Sequence, residues 1–347
     1  MMYRIFRPVF FLFSPEAMHG LVAWLMRVAY AIPPLRALLR KIFCVVDPAL
    51  EREFCGIKFS NPVGLAAGFD KNATLYPAFS TLGFSFIEIG TVTPKAQPGN
   101  PKPRIFRIPQ DEAIINRMGL NNKGVDAAVE QLKKIRPGII IGGNIGKNNT
   151  TSNEDAPADY LECFKKLYPY VDYFTVNVSC PNVANLSKLQ DTDSLSGIIS
   201  ALLDERKKYE KYKPILLKIS PDLNFVHLNE VVDIVTNTGI DGIVAINTTT
   251  KRTDLSIDKD RIESIGNGGL SGRPLTWRTL EVINYIRQHT RGTLPIIGVG
   301  GVMSAGDAIN MIRAGATLVQ IYSGMIYEGP ALVKKINKEI LRQGNIQ

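Results

Sequence analysis

Eight short apolar runs, separated by segments of helical length, constrain this chain more than any other feature. They occupy residues 63–68, 86–92, 139–146, 173–179, 214–220, 242–248, 295–301 and 318–324. Each is close to continuously apolar rather than alternating, as strands covered on both faces are. The segments between them, including 121–134, 156–167, 194–207, 224–237, 275–289 and 304–314, have helical length and charge. Eight strand-helix units in one domain favour a closed (β/α)8 TIM barrel over a doubly wound open sheet.

Composition permits such a core: of 347 residues, 45% are hydrophobic and 21% charged, which excludes a disordered chain. The formal charge of +9 is not arranged for nucleic acid, because no Lys/Arg stripe with interleaved aromatics runs along a helix. Much of the excess lies in residues 1–46, where Arg4, Arg7, Arg27, Arg36, Arg40 and Lys41 are offset only by Glu16. An anionic lipid surface suits that segment better than DNA. From Ser14, a candidate N-cap ahead of Pro15, a helix is predicted to about Ile32, with Met18, Leu21, Val22, Leu25, Val28 and Ala29 on one side. A shorter helix over 35–43 follows Pro33-Pro34, and the pair either packs on the barrel or lies in a membrane interface. Glu16, His19 and Arg27 interrupt any signal-peptide core, and no uncharged stretch reaches the roughly 18 residues of a spanning helix, so neither is expected. Cys44, Cys55, Cys163 and Cys180 form no C-x-x-C pair, so no metal site or disulfide framework is expected. The first three read as small buried hydrophobes.

Polar residues recur at one end of the predicted strands: Lys71, Thr91, Asn144, Lys218, Asn247-Thr248, Gly300-Gly301 and Tyr322-Ser323. The densest cluster closes the fourth strand, Asn177-Val178-Ser179-Cys180-Pro181-Asn182. In a barrel these positions converge on the C-terminal face, where active sites lie. Bare backbone in Gly298-Val299-Gly300-Gly301, with Ser323-Gly324 and Gly329-Pro330, suits a phosphate. Gly143-Asn144-Ile145-Gly146-Lys147 fails as a P-loop and no G-x-G-x-x-G opens a βαβ unit, which disfavours ATP and NAD. His19, His227 and His289 all fall on predicted helices, leaving Cys180, Lys71 and Lys218 as candidates for proton transfer. The connections 93–115 and 249–274 are longer than simple barrel loops, as functional segments often are.

The segment Asn177 to Asn182 resembles the active-site loop of the dihydroorotate dehydrogenases. So, in order, do Gly68-Phe69-Asp70-Lys71-Asn72, Gly90-Thr91-Val92-Thr93-Pro94, Asn116-Arg117-Met118-Gly119-Leu120, Lys218-Ile219-Ser220-Pro221-Asp222, Gly268-Gly269-Leu270-Ser271-Gly272-Arg273-Pro274 and Gly298-Val299-Gly300-Gly301. The resemblance implies an FMN enzyme that oxidises dihydroorotate to orotate in pyrimidine synthesis. It implies FMN phosphate on Gly301, Tyr322 and Ser323, with the ring near Ala67, Gly68, Lys71, Thr91, Asn144, Asn177, Lys218, Ile246 and Gly272. Substrate is implied at Lys71, Asn116, Arg117, Met118, Gly119, Leu120, Asn177, Asn182, Asn247 and Thr248. In such a site the lysines serve best as fixed charges, Lys218 opposite negative charge developing on the flavin, which leaves Cys180 as the base.

Members that pass electrons to membrane quinone usually carry serine at the position of Cys180, and soluble members using fumarate or NAD carry cysteine. The N-terminal helical pair, Glu16-Ala17-Met18-His19 and Arg107 resemble the quinone type, and they assign the chain there, with His19, Arg107 and Tyr322 lining a quinone tunnel. The expected organisation is a membrane-associating segment, 1–46, and an FMN-binding barrel, 47–347, held peripherally at the cytoplasmic side of the cell membrane. The competing readings are the soluble type, a Schiff-base aldolase-like barrel using Lys218 or Lys71, and a flavin- or lipid-binding module without turnover.

Overall fold

A computed structural model describes residues 2–135, 137–179, 192–253 and 255–344. The strands are β1 (Arg52–Phe54), β2 (Ile57–Phe59), β3 (Val63–Asp70), β4 (Phe86–Val92), β5 (Ile105–Ile108), β6 (Ala113–Asn116) and β7 (Ile140–Ile145). They continue as β8 (Tyr173–Asn177), β9 (Ile215–Ile219), β10 (Gly242–Ala245), β11 (Gly269–Gly272), β12 (Ile296–Val299) and β13 (Leu318–Ile321). The helices are α1 (Met2–Phe11), α2 (Pro15–Ala31), α3 (Pro33–Phe43), α4 (Tyr76–Phe79), α5 (Val125–Leu132), α6 (Ala156–Leu167) and α7 (Thr192–Arg206). After them come α8 (Phe225–Thr238), α9 (Lys259–Ile265), α10 (Thr276–His289), α11 (Ala305–Ala314), α12 (Ser323–Glu328) and α13 (Ala331–Gln343).

The eight apolar runs supply the eight barrel strands, which pair in parallel around a closed ring in the order β3, β4, β7, β8, β9, β10, β12, β13. Period-two geometry sorts their side chains between two apolar clusters. Ile87 and Ile89 of β4, Phe174 and Val176 of β8, and Leu217 and Ile219 of β9 pack outward in the main core with the surrounding helices. Phe86, Tyr173, Leu216, Val244, Ile297 and Leu318 fill the barrel interior, which the β1–β2 hairpin plugs with Phe54 and Phe59. Phe59 meets Phe86 edge to face at 5.2 Å. This alternation also turns Glu88, Asn144, Thr175, Lys218 and Gln320 inward, one position in two along strands that look uniformly apolar in sequence.

The two long connections are not structureless. Segment 93–115 forms β5 and most of β6, segment 249–274 contributes α9 and β11, and the strands join as a separate antiparallel sheet in the order β11, β6, β5. Each connection alone offers one or two short strands, too few to hold together in water, so the sheet forms only where both meet over the barrel mouth.

The N-terminal segment forms three helices rather than two. Helix α1, with Pro8 inside it, occupies the stretch that looks like a targeting sequence. Ser14 caps α2 as expected, its Oγ accepting from Ala17 N at 3.3 Å. Helix α3 starts at Pro33, two residues before the predicted start, because proline lacks only an N–H that a first helical turn leaves unused. The single apolar side predicted for α2 is divided: Met18 and Val22 line a cavity, whereas Leu21, Leu25 and Val28 remain exposed; outside that side, Met26 lines the same cavity and Trp24 is exposed. Ile5, Phe6 and Val9 of α1 and Leu35, Leu38 and Ile42 of α3 are exposed as well. No single helix among the described residues is long and apolar enough to cross a membrane; α2 and α3 meet that measure only together, bent by 110°. Of the described cysteines, Cys163 is fully buried as expected, but Cys44 and Cys55 are only half-buried, each on a connection between elements rather than inside one.

Glu16 ties α2 to the barrel, pairing with Arg104 at 2.7 Å and Lys102 at 3.0 Å. The buried Arg104 guanidinium also donates to the carbonyls of Pro98 (2.7 Å) and Asn100 (3.0 Å). Asn100 in turn donates to the carbonyls of Arg117 (side chain, 2.9 Å) and Met118 (backbone, 3.1 Å).

Candidate active site

The C-terminal ends of the barrel strands open into one cavity. Its wall is built strand by strand. Ala67, Gly68 and Lys71 come from the end of β3, Thr91 from β4, Asn177 from β8 and Lys218 from β9. Ile246, Asn247 and Thr248 follow β10, Gly301 follows β12, and Tyr322 and Ser323 follow β13. The antiparallel sheet closes the top with Asn116, Met118, Gly119, Leu120 and Gly272.

Two expected site residues, Arg117 and Asn144, stand apart from this wall. Cys180 and Asn182 lie outside the described residues. The Arg117 guanidinium is turned away, donating to the carbonyls of Ile265, Asn267 (3.3 Å) and Pro103 (3.2 Å) and lying 4.6 Å over the Phe106 ring. It braces the covering sheet, and the cavity meets the backbone that follows it. Asn144 is fully buried one layer down, because its position on β7 turns it into the barrel interior. There it accepts from Thr91 Oγ1 at 2.5 Å, and Thr91 accepts from Asn177 Nδ2 at 2.8 Å.

Within the wall, Lys71 Nζ donates to Asn121 Oδ1 at 2.5 Å, and the buried Lys218 accepts at its backbone oxygen from Ser179 Oγ at 2.9 Å. Asn247 Nδ2 donates to Asn177 Oδ1 (3.2 Å) and Ser179 Oγ (3.0 Å). The site therefore combines carboxamides, two lysines and several backbone N–H groups, and can bind a flat polar molecule with a carboxylate by hydrogen bonds and charge.

Ser271 and Gln320 also line the cavity, beyond the residues expected from sequence. Ser271 Oγ lies 3.0 Å from Ser323 Oγ. Counting alternate positions from Leu318 along β13 would have turned Gln320 inward.

A flavin mononucleotide fits these residues. A Cβ on Gly301, whose φ is +78°, would stand 2.4 Å from Thr276 N, so the turn after β12 must remain bare backbone, able to offer its N–H groups to a phosphate. Gln320 Oε1 is buried in the wall and has no hydrogen-bond partner among the described residues, as an acceptor facing a ring N–H would. The cradle is smaller than expected: Gly298 is packed against Ile283 and Ala316, and Gly329 lies against the Tyr3 ring of α1.

A second, mostly apolar cavity of about 400 Å³ lies between α2 and the barrel. The structure brings His19, Arg107 and Tyr322 together here, and the two cavities share Gly68, Lys71, Asn116, Met118 and Tyr322. Arg107 is held by the Phe13 carbonyl at 2.8 Å and lies 4.6 Å over the Phe11 ring. His19, Phe69 and Tyr322 form a run of edge-to-face rings, 5.2 and 5.3 Å apart. His19 keeps much of its surface open toward the cavity, yet the protein crowding its ring, and then the Lys71 charge, hold it below the usual imidazole range against the opposing pull of Glu16. Surrounding protein pushes the Tyr322 phenol up to about 12, so it stays protonated between the two cavities. For Glu16 burial acts upward, but the hydrogen bonds and charges of Arg104 and Lys102 outweigh it and hold the carboxyl below its usual value.

The sequence model of the dihydroorotate dehydrogenase family matches residues 49–343. The dihydroorotate dehydrogenase (quinone) of Christiangramia forsetii is 51% identical over 345 residues, 99% of this chain and 100% of that protein. That of a Marinomonas species is 45% identical, covering 96% of this chain and 95% of that one. Among solved structures, the ligand-free DHODH of Eimeria tenella superposes with a TM-score of 0.86 at 36% identity, over 96% of this chain and 97% of that chain. The same Eimeria protein in complex with ferulenol gives 0.85 over 95% of this chain and 91% of that chain.

Proposed function

The chain belongs to the dihydroorotate dehydrogenase family, and from that premise we propose that it oxidises dihydroorotate to orotate in pyrimidine biosynthesis and delivers the electrons to a membrane quinone. The observation that carries this reading is the adjacency of two cavities with different linings. One, at the barrel mouth, has Asn177, Lys218 and Asn247 in its wall; the other, under α2, is bounded by apolar residues of α2 with His19 and Arg107, and the two share Lys71, Asn116 and Tyr322.

Flavin mononucleotide, when bound in the barrel mouth, supplies a hydride acceptor. The backbone at Gly301, Ser323 and Tyr322 would hold its phosphate, and Ala67, Gly68, Thr91, Ile246 and Gly272 would bound its ring. Lys71 and the carboxamides of Asn116, Asn177 and Asn247, with Thr248 and the Met118 to Leu120 backbone, orient the substrate's carboxylate and ureide, since each amide offers donor and acceptor together. Lys218 keeps a fixed positive charge beside the hydride-accepting ring. Cys180, on the segment that follows Asn177, takes the substrate proton, with Asn182 as a further ligand. The apolar cavity takes the quinone between His19, Arg107 and Tyr322. Residues 1–46 rest on the cytoplasmic face of the cell membrane, which the exposed apolar residues of α1, α2 and α3 and the basic excess support.

Anaerobic mixing with dihydroorotate, followed by a quinone, fumarate or NAD, tests this reading. Bleaching of the flavin absorbance and reoxidation by quinone alone are expected. Reoxidation by fumarate or NAD would indicate the soluble type, which the cysteine at 180 otherwise favours. Yellow protein that dihydroorotate does not bleach would indicate a module without turnover, and colourless protein trapped by borohydride with a carbonyl compound would indicate a Schiff-base enzyme.

A further inference from the structure

Glu88 is fully buried in the barrel interior, where four neutral side chains donate to its carboxyl oxygens. Asn144 Nδ2 donates to Oε1 at 2.7 Å; Gln320 Nε2 (2.8 Å), Thr175 Oγ1 (3.1 Å) and the Tyr173 hydroxyl (3.3 Å) donate to Oε2. From Asn144 a chain of hydrogen bonds climbs to the cavity: Thr91 donates to Asn144, Asn177 to Thr91 and Asn247 to Asn177. All of its links point the same way, toward Glu88.

The direction has a physical cause. A carboxamide or a hydroxyl both donates and accepts, so a chain made only of them could run either way, whereas a carboxylate only accepts. With Glu88 at its foot, Asn144 must turn its NH2 downward and its oxygen to Thr91. Thr91 must then give its proton to Asn144 and accept from Asn177, whose oxygen accepts from Asn247 and from Ser179 N (3.4 Å); Asn247 Oδ1 accepts from Thr248 N (2.8 Å), so the upper end of the chain matches the direction set from below. The same constraint turns the NH2 of Gln320 to Glu88 and leaves Oε1 in the cavity wall without a partner among the described residues. Neutral donors in a low-dielectric interior strengthen one another along such a chain.

Resting on the proposed function, we propose that Glu88 is a positioning residue for the reaction: its carboxylate fixes the hydrogen-bond direction of the chain Asn144, Thr91, Asn177 and Asn247, and with it the way the last two amides face the substrate. Glu88 touches neither substrate nor cofactor in this role and moves no proton.

The test is orotate affinity, read from the flavin absorbance of the oxidised holoprotein, alongside the KM for dihydroorotate and the thermal midpoint. Glu88→Gln keeps the shape but supplies a donor, so the foot of the chain no longer requires one direction. Orotate affinity should fall and KM rise on the order of tenfold, the usual worth of misorienting one charged-group hydrogen bond. Thr91→Val cuts the chain above Glu88 and should reproduce that loss even if Glu88→Gln does not fold. The double variant should lose no more than either single one, since both break one chain. Thr175→Val removes a donor to Glu88 outside the chain and should bind orotate within about twofold of the parent. Folded Glu88→Gln with parental orotate affinity, parental affinity in Thr91→Val, or additive loss in the double variant would each overturn the proposal. A parent that does not bind orotate at all would instead sink the functional reading.

Discussion

Gly301→Ala offers the most quantitative check on the cofactor cradle. The new Cβ would stand 2.4 Å from both Thr276 N and Thr276 Oγ1 and 2.5 Å from Thr276 Cα, whereas ordinary contact begins at 3.4 Å. The turn must therefore retreat by about 1 Å, since the contact lies at the head of α10 and involves backbone that cannot yield by rotating a side chain. An N–H to phosphate bond near 2.9 Å does not survive such a shift. Losing one bond to a charged group costs about 1.5–3 kcal/mol, or roughly ten- to a hundredfold in FMN affinity. Holding alanine at a φ of +78° adds about 1–2 kcal/mol of strain to the folded chain. Gly292→Ala is the control: its φ is +74° but nothing lies within 4 Å of the added carbon, so it carries strain without the clash. Titrating each apoprotein with FMN by fluorescence quenching, with thermal midpoints beside it, separates the two effects. Gly301→Ala binding FMN within twofold of the parent would show that the turn after β12 does not hold the phosphate.

Lys218→Ala should slow flavin reduction by dihydroorotate far more than it lowers the thermal midpoint, and bleaching at the parental rate would remove Lys218 from its assigned role. Cys180→Ala should slow the same half-reaction by on the order of 10², the usual worth of a positioned base. Cys180→Ser should keep some activity with its pH dependence moved upward, because a thiol's reference pKa of about 8.5 lies far closer to neutrality than an alcohol's. Stopped-flow traces across pH decide this, and a parental profile in the alanine variant would pass the role to Lys71. His19, held below its ordinary value of about 6.5 by crowding and by Lys71, binds a proton less readily folded than unfolded. Its contribution to stability is complete above about 6.5 and is lost as pH falls through the folded value. His19→Gln should reduce the fall in thermal midpoint between roughly pH 7.5 and 5, and an unchanged slope would mean that another group sets it.

The barrel was legible because eight runs of the same kind recur at helical spacing, and a strand covered on both faces announces itself without partners. The cavity's main residues were legible for a related reason: strand ends converge, so Lys71, Asn177 and Lys218 could be grouped before any distance was known. What escaped was set by pairing at long range. Neither half of the β5–β6–β11 sheet has a period strong enough to stand alone, and the turned-away Arg117 depends on carbonyls roughly 150 residues along the chain. Glu88 and Gln320 escaped because runs such as Phe86-Ile87-Glu88-Ile89 read as apolar on average, while the barrel treats odd and even positions as two different environments.

Arg104 reaches in two directions, to Glu16 on α2 and, through Asn100, to the backbone of Arg117 and Met118 at the polar cavity. A side chain that touches both ends is a physical route by which they can be linked, and linkage is reciprocal. Whatever factor dihydroorotate contributes to seating the helical segment, seating that segment must return to dihydroorotate binding by the same factor. Any such factor other than one would let the barrel mouth register how the helical segment is seated.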